Sequence, residues 1–549
     1  MGLSAKSRWV EPVIEDIPAD VLQLAGGSPI LAGALLRRGL KKPAQIQAFL
    51  NPSLAIPVDP LELPGMELLV VRLQKAMDKR KKICIWGDFD VDGLTSTAIL
   101  LHALRALQAN VTYHVPVRDR ESHGISLPAL EREIATGAEV ILTCDTGISA
   151  HEAAKAIRAG GLELLITDHH ELPPELPPAD AIVNPKLLAG THPAATLPGA
   201  GVAYLLALEL FRRMGREDRA SENLDLAALG IIADRAVLVG EARRLVQKGL
   251  HSLRQNTRVS FRSIMELAEL SPGRLNEQHI AFELAPRLNA VGRLGDASTA
   301  VEFLLSEDLA KARQYALQLE GINADRRLLT RQVLAGALAQ LEKDRSLLDD
   351  SVLVLEHPEW PAGVIGIVAS QLVERFARPV ILFSSPPGGV SRGSARSIEG
   401  IHIAEAISAQ KAILISFGGH PMAAGLAIQT EQIPSFRRAV SRYVDSHFGR
   451  PPEPVLKPDA FLPLEDVTLD LVDHFEQMAP FGPGNPPLLF AARNIRIESV
   501  RPLGRQDEHL LLTVQNQEGG LKGERACLLW WQGASWPHPE GWVDLVYTV

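Results

Sequence analysis

The sequence predicts an α/β protein: two α/β domains around a cleft, joined by a long helix and followed by a C-terminal β-barrel such as an OB-fold. Three observations carry this expectation. Short apolar runs alternate with helical stretches from Leu68 to Val183 and again from Ser351 onward, the βαβ rhythm of a mostly parallel, doubly wound sheet. Glu307 to Leu347 contains no proline and reads as a helix long enough to bridge domains. Beyond Asn494 the chain reads as a run of strands, the pattern of a small barrel.

At 549 residues one core is too few. The expected divisions are an N-terminal wrap over 1–67, a first α/β domain over 68–300, a connecting helix over 301–348, a second α/β domain over 349–448 and the barrel over 449–549. That barrel is expected to be incomplete at its C-terminal end, because Thr548-Val549 falls inside a strand-like run. A net charge of −9 rules out a global basic field but not local basic patches. Cys84, Cys144 and Cys527 are few and scattered, which fits a reducing compartment and no disulfide framework or zinc ribbon. The first residues have no apolar signal core, and no run of about 18 apolar residues exists to span a membrane. The reading is a soluble cytoplasmic protein.

Taken in order, residues 1–65 are proline-rich, with short helices fitting at Pro29–Arg38 and Pro43–Phe49. The helix Leu68–Lys81 leads to the strand Ile83–Trp86. Gly87 and three acids at every second position, Asp88, Asp90 and Asp92, then precede Gly93 and a helix over Leu94–Leu107. Carboxylates crowded at the C-terminal end of a strand repel unless a cation neutralises them, and oxygen ligands suit Mg²⁺ or Mn²⁺. Strands are expected at Val111–Val115, Val140–Cys144, Leu164–Thr167 and Ala181–Val183, with helices at Pro128–Thr136 and Ala150–Ala159. Val140–Cys144 ends in Asp145-Thr-Gly, Leu164–Thr167 ends in Asp168-His169-His170, and the apolar run Leu226–Ile232, read with the strand ends, is followed by Asp234. Singly, Asp145 or Asp234 is a helix N-cap and His169 a core histidine. Four such endings at one topological place point instead to a metal site, and two ions side by side clamp a phosphate in displacement by water.

Arg118, and Arg287 and Arg293 of Ala285-Pro-Arg-Leu-Asn-Ala-Val-Gly-Arg-Leu-Gly295, supply cations suited to phosphate. Asn289 and the glycines beside Arg293 favour a shaped loop there. The second α/β unit begins with the strand Val352–Leu355, the helix Gly363–Phe376 and the strand Pro379–Phe383. Two Gly-rich loops follow, Arg392–Ser397 and Phe417–Gly425, in which backbone amides with Ser394 and Arg396 are suited to a phosphate. A linker at 449–454, a helix over Leu469–Met478 and a rigid turn over Ala479–Pro487 lead to strands at Asn494–Val500, His509–Val514, Arg525–Trp531 and Trp542–Val549.

Together, Asp88-Phe-Asp-Val-Asp-Gly93, Asp145-Thr-Gly147, Asp168-His-His170 and Ala228–Asp234 resemble the four motifs of the DHH phosphoesterases. Pro286–Arg293, Arg392–Ser397, Gly418–Gly425 and Pro480-Phe-Gly-Pro-Gly-Asn485 narrow the resemblance to the bacterial RecJ family of single-strand-specific 5′→3′ DNA exonucleases. The likeness runs from about Ile83 to at least His509 and implies that the two α/β domains are a DHH and a DHHA1 domain. It implies ligation of two Mn²⁺ or Mg²⁺ ions by Asp90, Asp92, Asp145, His169 and Asp234, with Asp145 as the bridge between them. Asp88 and His170 follow as ligands or close supports. Arg118, Ser394 and Arg396 would hold a terminal 5′-phosphate, while Arg287, Asn289, Arg293 and His420 would contact the strand. The implied role is in DNA repair and recombination, as a monomer acting on single-stranded DNA, with a single-strand-binding protein and a RecQ-type helicase as partners. The chain departs from the family at Pro361, where a histidine usually follows the tryptophan, and at Ser122-His123-Gly124, where Gly-Tyr-Gly is usual. Rival readings are an oligoribonuclease or cyclic-dinucleotide phosphodiesterase of the same superfamily, a non-catalytic RecJ-like replication scaffold, or a plain metal-stabilised α/β protein. The length and the Pro-Phe-Gly turn speak against the first, and the retained acids against the second.

Overall fold

The computed structural model describes residues 8–10, 16–121, 124–255, 258–449, 455–504, 507, 509–516, 525–531, 533–535 and 541–549. The chain divides into two units. The first holds Ile17–Ala324 with Asp473–Pro487; the second holds Met1–Asp16, Asp325–Val472 and Leu488–Val549.

The first unit is built on a parallel sheet of β1 (Ile83–Trp86), β2 (Val111–His114), β3 (Val140–Cys144), β4 (Glu163–Thr167) and β5 (Ala181–Val183). Its order is β2-β1-β3-β4-β5, every pair parallel, with Ile83 opposite Val111 on one side and Val140 on the other. The order reverses between β1 and β3, so the loops leaving these two strands diverge and open a crevice at their C-terminal ends. β1 and β3 are buried along their whole length, which is why both read as unbroken apolar runs. The helices α1 (Met66–Asp78), α2 (Val91–Ala106), α3 (Gly199–Arg213) and α4 (Leu224–Ala233) share one core with this sheet.

Two expectations fail in this unit. Leu226–Ile232 is no strand but the middle of α4, buried on every side. A helix with no solvent face has no apolar stripe, so its period is silent in the sequence. Ala285–Leu294, expected as a shaped loop, is the helix α5, entered through a π-helical turn at Ile280–Leu284. Its Gly292 answers to packing rather than to looping: a Cβ there would collide with the carbonyl of Phe89.

The turn ahead of the barrel belongs to the first unit and is tied down there. Buried Arg243 stacks 3.6 Å over the Phe49 ring. It donates to the carbonyls of Met478, Ala479 and Pro480 at 2.8–2.9 Å. Asn485, fully buried, donates back to Met478 and Pro480 and accepts from Arg38 Nε at 2.7 Å.

α6 (Leu309–Lys343), one helix of 35 residues, runs from the first unit into the second. The second unit contains β6 (Leu353–His357), α7 (Ala362–Phe376), β7 (Val380–Ser384), β8 (Val390–Arg396), β9 (Leu414–His420) and β10 (Ala423–Gln429). The sheet order is β9-β10-β8-β7-β6, and only β6 and β7 run parallel. Here the two expected Gly-rich loops are strands, β8 and the β9–β10 hairpin. Gly393 faces the Phe383 ring so closely that a Cβ would sit 2.5 Å from it, and small residues are what let these strands meet their neighbours.

The last sheet holds β11 (Ala460–Phe461), β12 (Phe490–Leu503), β13 (His509–Asn516), β14 (Arg525–Trp530) and β15 (Trp542–Tyr547). β12 is long enough to pair with β13 toward one end and with β11 and β15 toward the other. Its register slips between Ala492 and Ile495 and between Ile497 and Ser499, which lets the sheet curl as an OB barrel requires. Among the described residues no helix is long and apolar enough to cross a membrane.

Candidate active site

The loop after β1 is shaped by backbone contacts before any metal enters. Asp90 caps α2 by accepting from Gly93 N at 3.1 Å, and Gly93 packs so tightly on Asp88 that a Cβ would lie 2.6 Å from its carbonyl. Asp88 is buried and its Oδ1 accepts from Phe89 N. Asp92 sits in the first turn of α2 at 2 % exposure. Its two oxygens accept from Gly199 N (2.6 Å) and Ala200 N (2.8 Å), the first amides of α3, so a helix N-terminus faces this carboxylate. Gly199 and Gly230 leave it room, since a Cβ on either would lie 2.9 Å from an Asp92 oxygen. Burial, then the charge of Asp234, pushes Asp92 up to about 7. Asp234, at the C-terminal end of α4 and open to solvent on its outer side, is raised to about 7 by lost water and then by Asp90.

Asp145 follows β3 in the left-handed region at φ 60°, a conformation costly outside glycine and frequent at functional sites. It is 1 % exposed, and burial followed by the charges of Asp92, Asp90 and Asp88 raises it well above the usual carboxylate range. Its Oδ1 lies 2.9 Å from His169 Nε2, yet no hydrogen bond reaches that oxygen. His169 is held below its ordinary pKa, chiefly by burial, so its ring is neutral near pH 7. Asp92 Oδ2 is 3.6 Å from the same nitrogen.

Asp168 does different work. It accepts from Ile148 N, His169 N, His170 N and His170 Nδ1 at 2.7–3.1 Å. Despite burial, the His170 hydrogen bond keeps Asp168 below the usual range, and Asp168 in turn raises His170 to about 9. The bond to Nδ1 aims the other ring nitrogen of His170 at the site, as a carboxylate behind a ligating histidine does.

Two overlapping groups emerge, Asp145 with His169 and His170, and Asp92 with His169 and Asp234, each offering ligand atoms within 4.8 Å of one another. His169 is common to both, whereas Asp145, expected as the bridge, stands in one; Asp88 and Asp90 stand in neither. Carboxylates whose charge burial disfavours, a neutral imidazole and an unsatisfied buried oxygen fit a hard divalent cation.

Cations gather on the same unit. Arg118 opens a single helical turn, Arg118–Glu121; its guanidinium lies 4.1 Å over the Phe89 ring and Nε donates to Gly292 O at 3.0 Å. Asn289 Oδ1 accepts from Val91 N at 3.1 Å and fastens α5 to the start of α2. Arg293 is half-buried near the end of α5. Arg287 points inward instead: 6 % exposed, it donates to Glu283 (2.9 Å) and Glu320 (2.6 Å) and braces α5 against α6. Those two carboxylates hold its guanidinium within the first unit. The departure at Ser122 and His123 lies outside the described residues.

On the second unit, Ser394 and Arg396 are neighbours on β8, with Arg396 donating to Ser394 Oγ at 3.2 Å. α7 passes beside them, and a Cβ at Gly366 would lie 2.8 Å from Ser394 Oγ. Pro361 is the N-cap of α7, while Trp360 is buried and stacks on His357 at 5.6 Å. His420 ends β9, exposed. Phe89 and the Gly199–Ala200 amides were not among the residues singled out from sequence; Asp168 was, as part of the Asp168-His169-His170 ending, but without the supporting role it has here. Pro198-Gly-Ala-Gly ahead of an apolar helix was the available signal for the amides.

Three family models match consecutive parts of the chain: the N-terminal domain of the DHH family over residues 82–231, the DHHA1 domain over 349–446 and the RecJ OB domain over 458–549. Fold and site thus define a DHH-type protein with a divalent-metal centre. Among curated proteins the chain is similar to the single-stranded-DNA-specific exonuclease RecJ of Bacillus subtilis, 36% identical over 94% of this chain and 66% of that one. It is also similar to that of Haemophilus influenzae, 34% identical over 84% of each. Among solved structures, RecJ of Thermus thermophilus in complex with Mn²⁺ superposes with a TM-score of 0.79 at 29% identity, covering 96% of this chain and 79% of that one. A RecJ exonuclease bound to manganese gives a TM-score of 0.63 at 35% identity over 72% of this chain and 98% of that one. The chain belongs to the RecJ family of single-stranded-DNA-specific exonucleases.

Proposed function

We propose that this protein is a Mn²⁺- or Mg²⁺-dependent exonuclease that hydrolyses single-stranded DNA from its 5′ end and releases nucleoside 5′-monophosphates, in repair and recombination. The observation that carries the reading is the unsatisfied Asp145 Oδ1 facing a neutral His169 beside Asp92, an acid-and-imidazole cluster that only a cation completes. Asp92, Asp145, His169, His170 and Asp234 would hold the metal, with Asp90 and Asp88 adding negative charge nearby. When bound, the metal acidifies water and neutralises charge on the phosphorus oxygens. The chain's own residues do the rest. Asp168 fixes the His170 ring, and the Gly199 and Ala200 amides hold the Asp92 carboxylate still. Arg118, oriented by Phe89 and Gly292, supplies a cation suited to a phosphate of the strand, and Arg293 and Asn289 lie on the helix beside it. On the second unit, Ser394 and Arg396 offer a hydroxyl and a guanidinium suited to a terminal phosphate, with His420 two strands away.

Retention of the clustered acids favours this reading over a non-catalytic scaffold. The test of the phosphate assignments is a comparison of 5′-phosphorylated with 5′-hydroxyl oligonucleotides. Arg396→Ala should raise KM for the phosphorylated strand about tenfold, the cost of a lost charge-assisted contact, and leave the 5′-hydroxyl strand unchanged. An equal effect on both strands would remove Arg396 from that role. Single-stranded DNA is the one partner that the family name carries; a single-strand-binding protein and a RecQ-type helicase remain proposals.

A further inference from the structure

Far from the acid cluster, the first unit holds a polar cavity of about 530 Å³. Its walls include the distant ends of two helices that carry metal-site acids. α2 starts at Asp92 and presents His102 to the cavity ten residues on, roughly 15 Å along the axis. α4 opens there with Asp225 and closes at Asp234. The third wall is the helix Gly240–Gln255, which contributes Lys248 and His251.

The acids of this cavity are already neutralised. Arg258 donates to both oxygens of Asp225 at 3.0 and 3.1 Å. Arg219 does the same for Glu222. Half-buried Lys248 and exposed His251 have no partner among the described residues, so with Asp225 and Glu222 each held by an arginine the charge of Lys248 is left unmatched in the lining. A polar atom also goes unmet. The buried Nδ1 of His102, a lining residue, has no hydrogen bond. Buried polar groups left without partners mark a place where a ligand or ordered water belongs. The volume falls within the ~300–1,000 Å³ of small-molecule sites and exceeds what a bare ion needs.

We propose that this cavity binds a phosphomonoester, a nucleoside 5′-monophosphate, with its phosphate on Lys248 and His251 and its sugar and base against the polar remainder. The site is separate from the acid cluster and from Arg118, and it does not depend on the exonuclease reading. Chelator-treated full-length protein silences phosphate binding through metals. Under those conditions, and in an Arg396→Ala background that removes the proposed terminal-phosphate contact of the second unit, deoxyadenosine 5′-monophosphate should bind saturably by calorimetry with a stoichiometry near one, and deoxyadenosine should not. Lys248→Gln and His251→Gln should each weaken binding about tenfold, the value of one charge-assisted contact. Inorganic phosphate binding as tightly as the nucleotide keeps the site and names free phosphate as its ligand. No saturable binding, or binding lost in Arg118→Ala and kept in Lys248→Gln, would overturn the proposal.

Discussion

Asp92, Asp145 and Asp234 are held where their charges are unwelcome, and that has a measurable sign. Burial and mutual repulsion raise Asp92 and Asp234 to about 7, while in an unfolded chain aspartates ionise near 4. Between those values the unfolded chain gives up protons that the folded one keeps. Metal-free protein should therefore be most stable near pH 4–5 and lose stability as pH rises toward 7. Mn²⁺ should restore much more at pH 8 than at pH 5, where it competes with protons on the same oxygens. Melting curves with chelator and with Mn²⁺ at both values test this; an equal metal-induced shift would contradict it. Asp168→Asn, which keeps the side chain's shape but turns one accepting oxygen into a donor and removes the charge behind His170, should lower activity or metal affinity about 10–100-fold. At this scale the sequence was legible wherever chemistry is written in residue type: Asp92, Asp145, His169 and Asp234 follow from acids and imidazoles at segment ends. The amides of Gly199 and Ala200 were not, because an amide has no side chain to read and lies 107 residues from the carboxylate it serves.

The strand–turn–helix units of the parallel sheet were legible because burial on both faces leaves unbroken apolar runs between turn residues, as in β1 and β3. α4 and α5 were not. The first is buried all round and so lacks a stripe, and the glycine of the second serves close packing. That difference is testable: Gly292→Ala forces a methyl against Phe89 and should cost about 1–3 kcal/mol of stability in denaturant titrations. It should also disturb Arg118, which shares both contacts. A loop at this position would accept alanine without loss. Arg243→Met should cost about 3 kcal/mol, since it removes a buried donor from Met478, Ala479 and Pro480 and leaves the Ala479 carbonyl without the side-chain bond that Asn485 still gives the other two.

For the whole molecule, a net charge of −9 and a nucleic-acid substrate are compatible because local cations, the role proposed above for Arg118, Arg293 and Arg396, bind a strand without a global field. KM for single strands should therefore rise steeply with salt, by an amount set by the phosphates contacted. The domain matches over 82–231, 349–446 and 458–549 explain why long-range organisation could be read from motifs, while the division of α6 between units and the return of residues 473–487 to the first unit could not. Those features depend on contacts between residues hundreds of positions apart, such as Arg243 with Pro480.

The central claim is that the acid and histidine cluster is a metal centre for end-specific cleavage. Single-stranded DNA labelled at the 5′ or the 3′ end, incubated with Mn²⁺ and either the unaltered protein or Asp145→Ala, tests it most directly. The account predicts immediate release of labelled mononucleotide from the 5′ end only, abolished by chelator and in Asp145→Ala. Release from both ends at equal rates, or undiminished activity in Asp145→Ala, would contradict it.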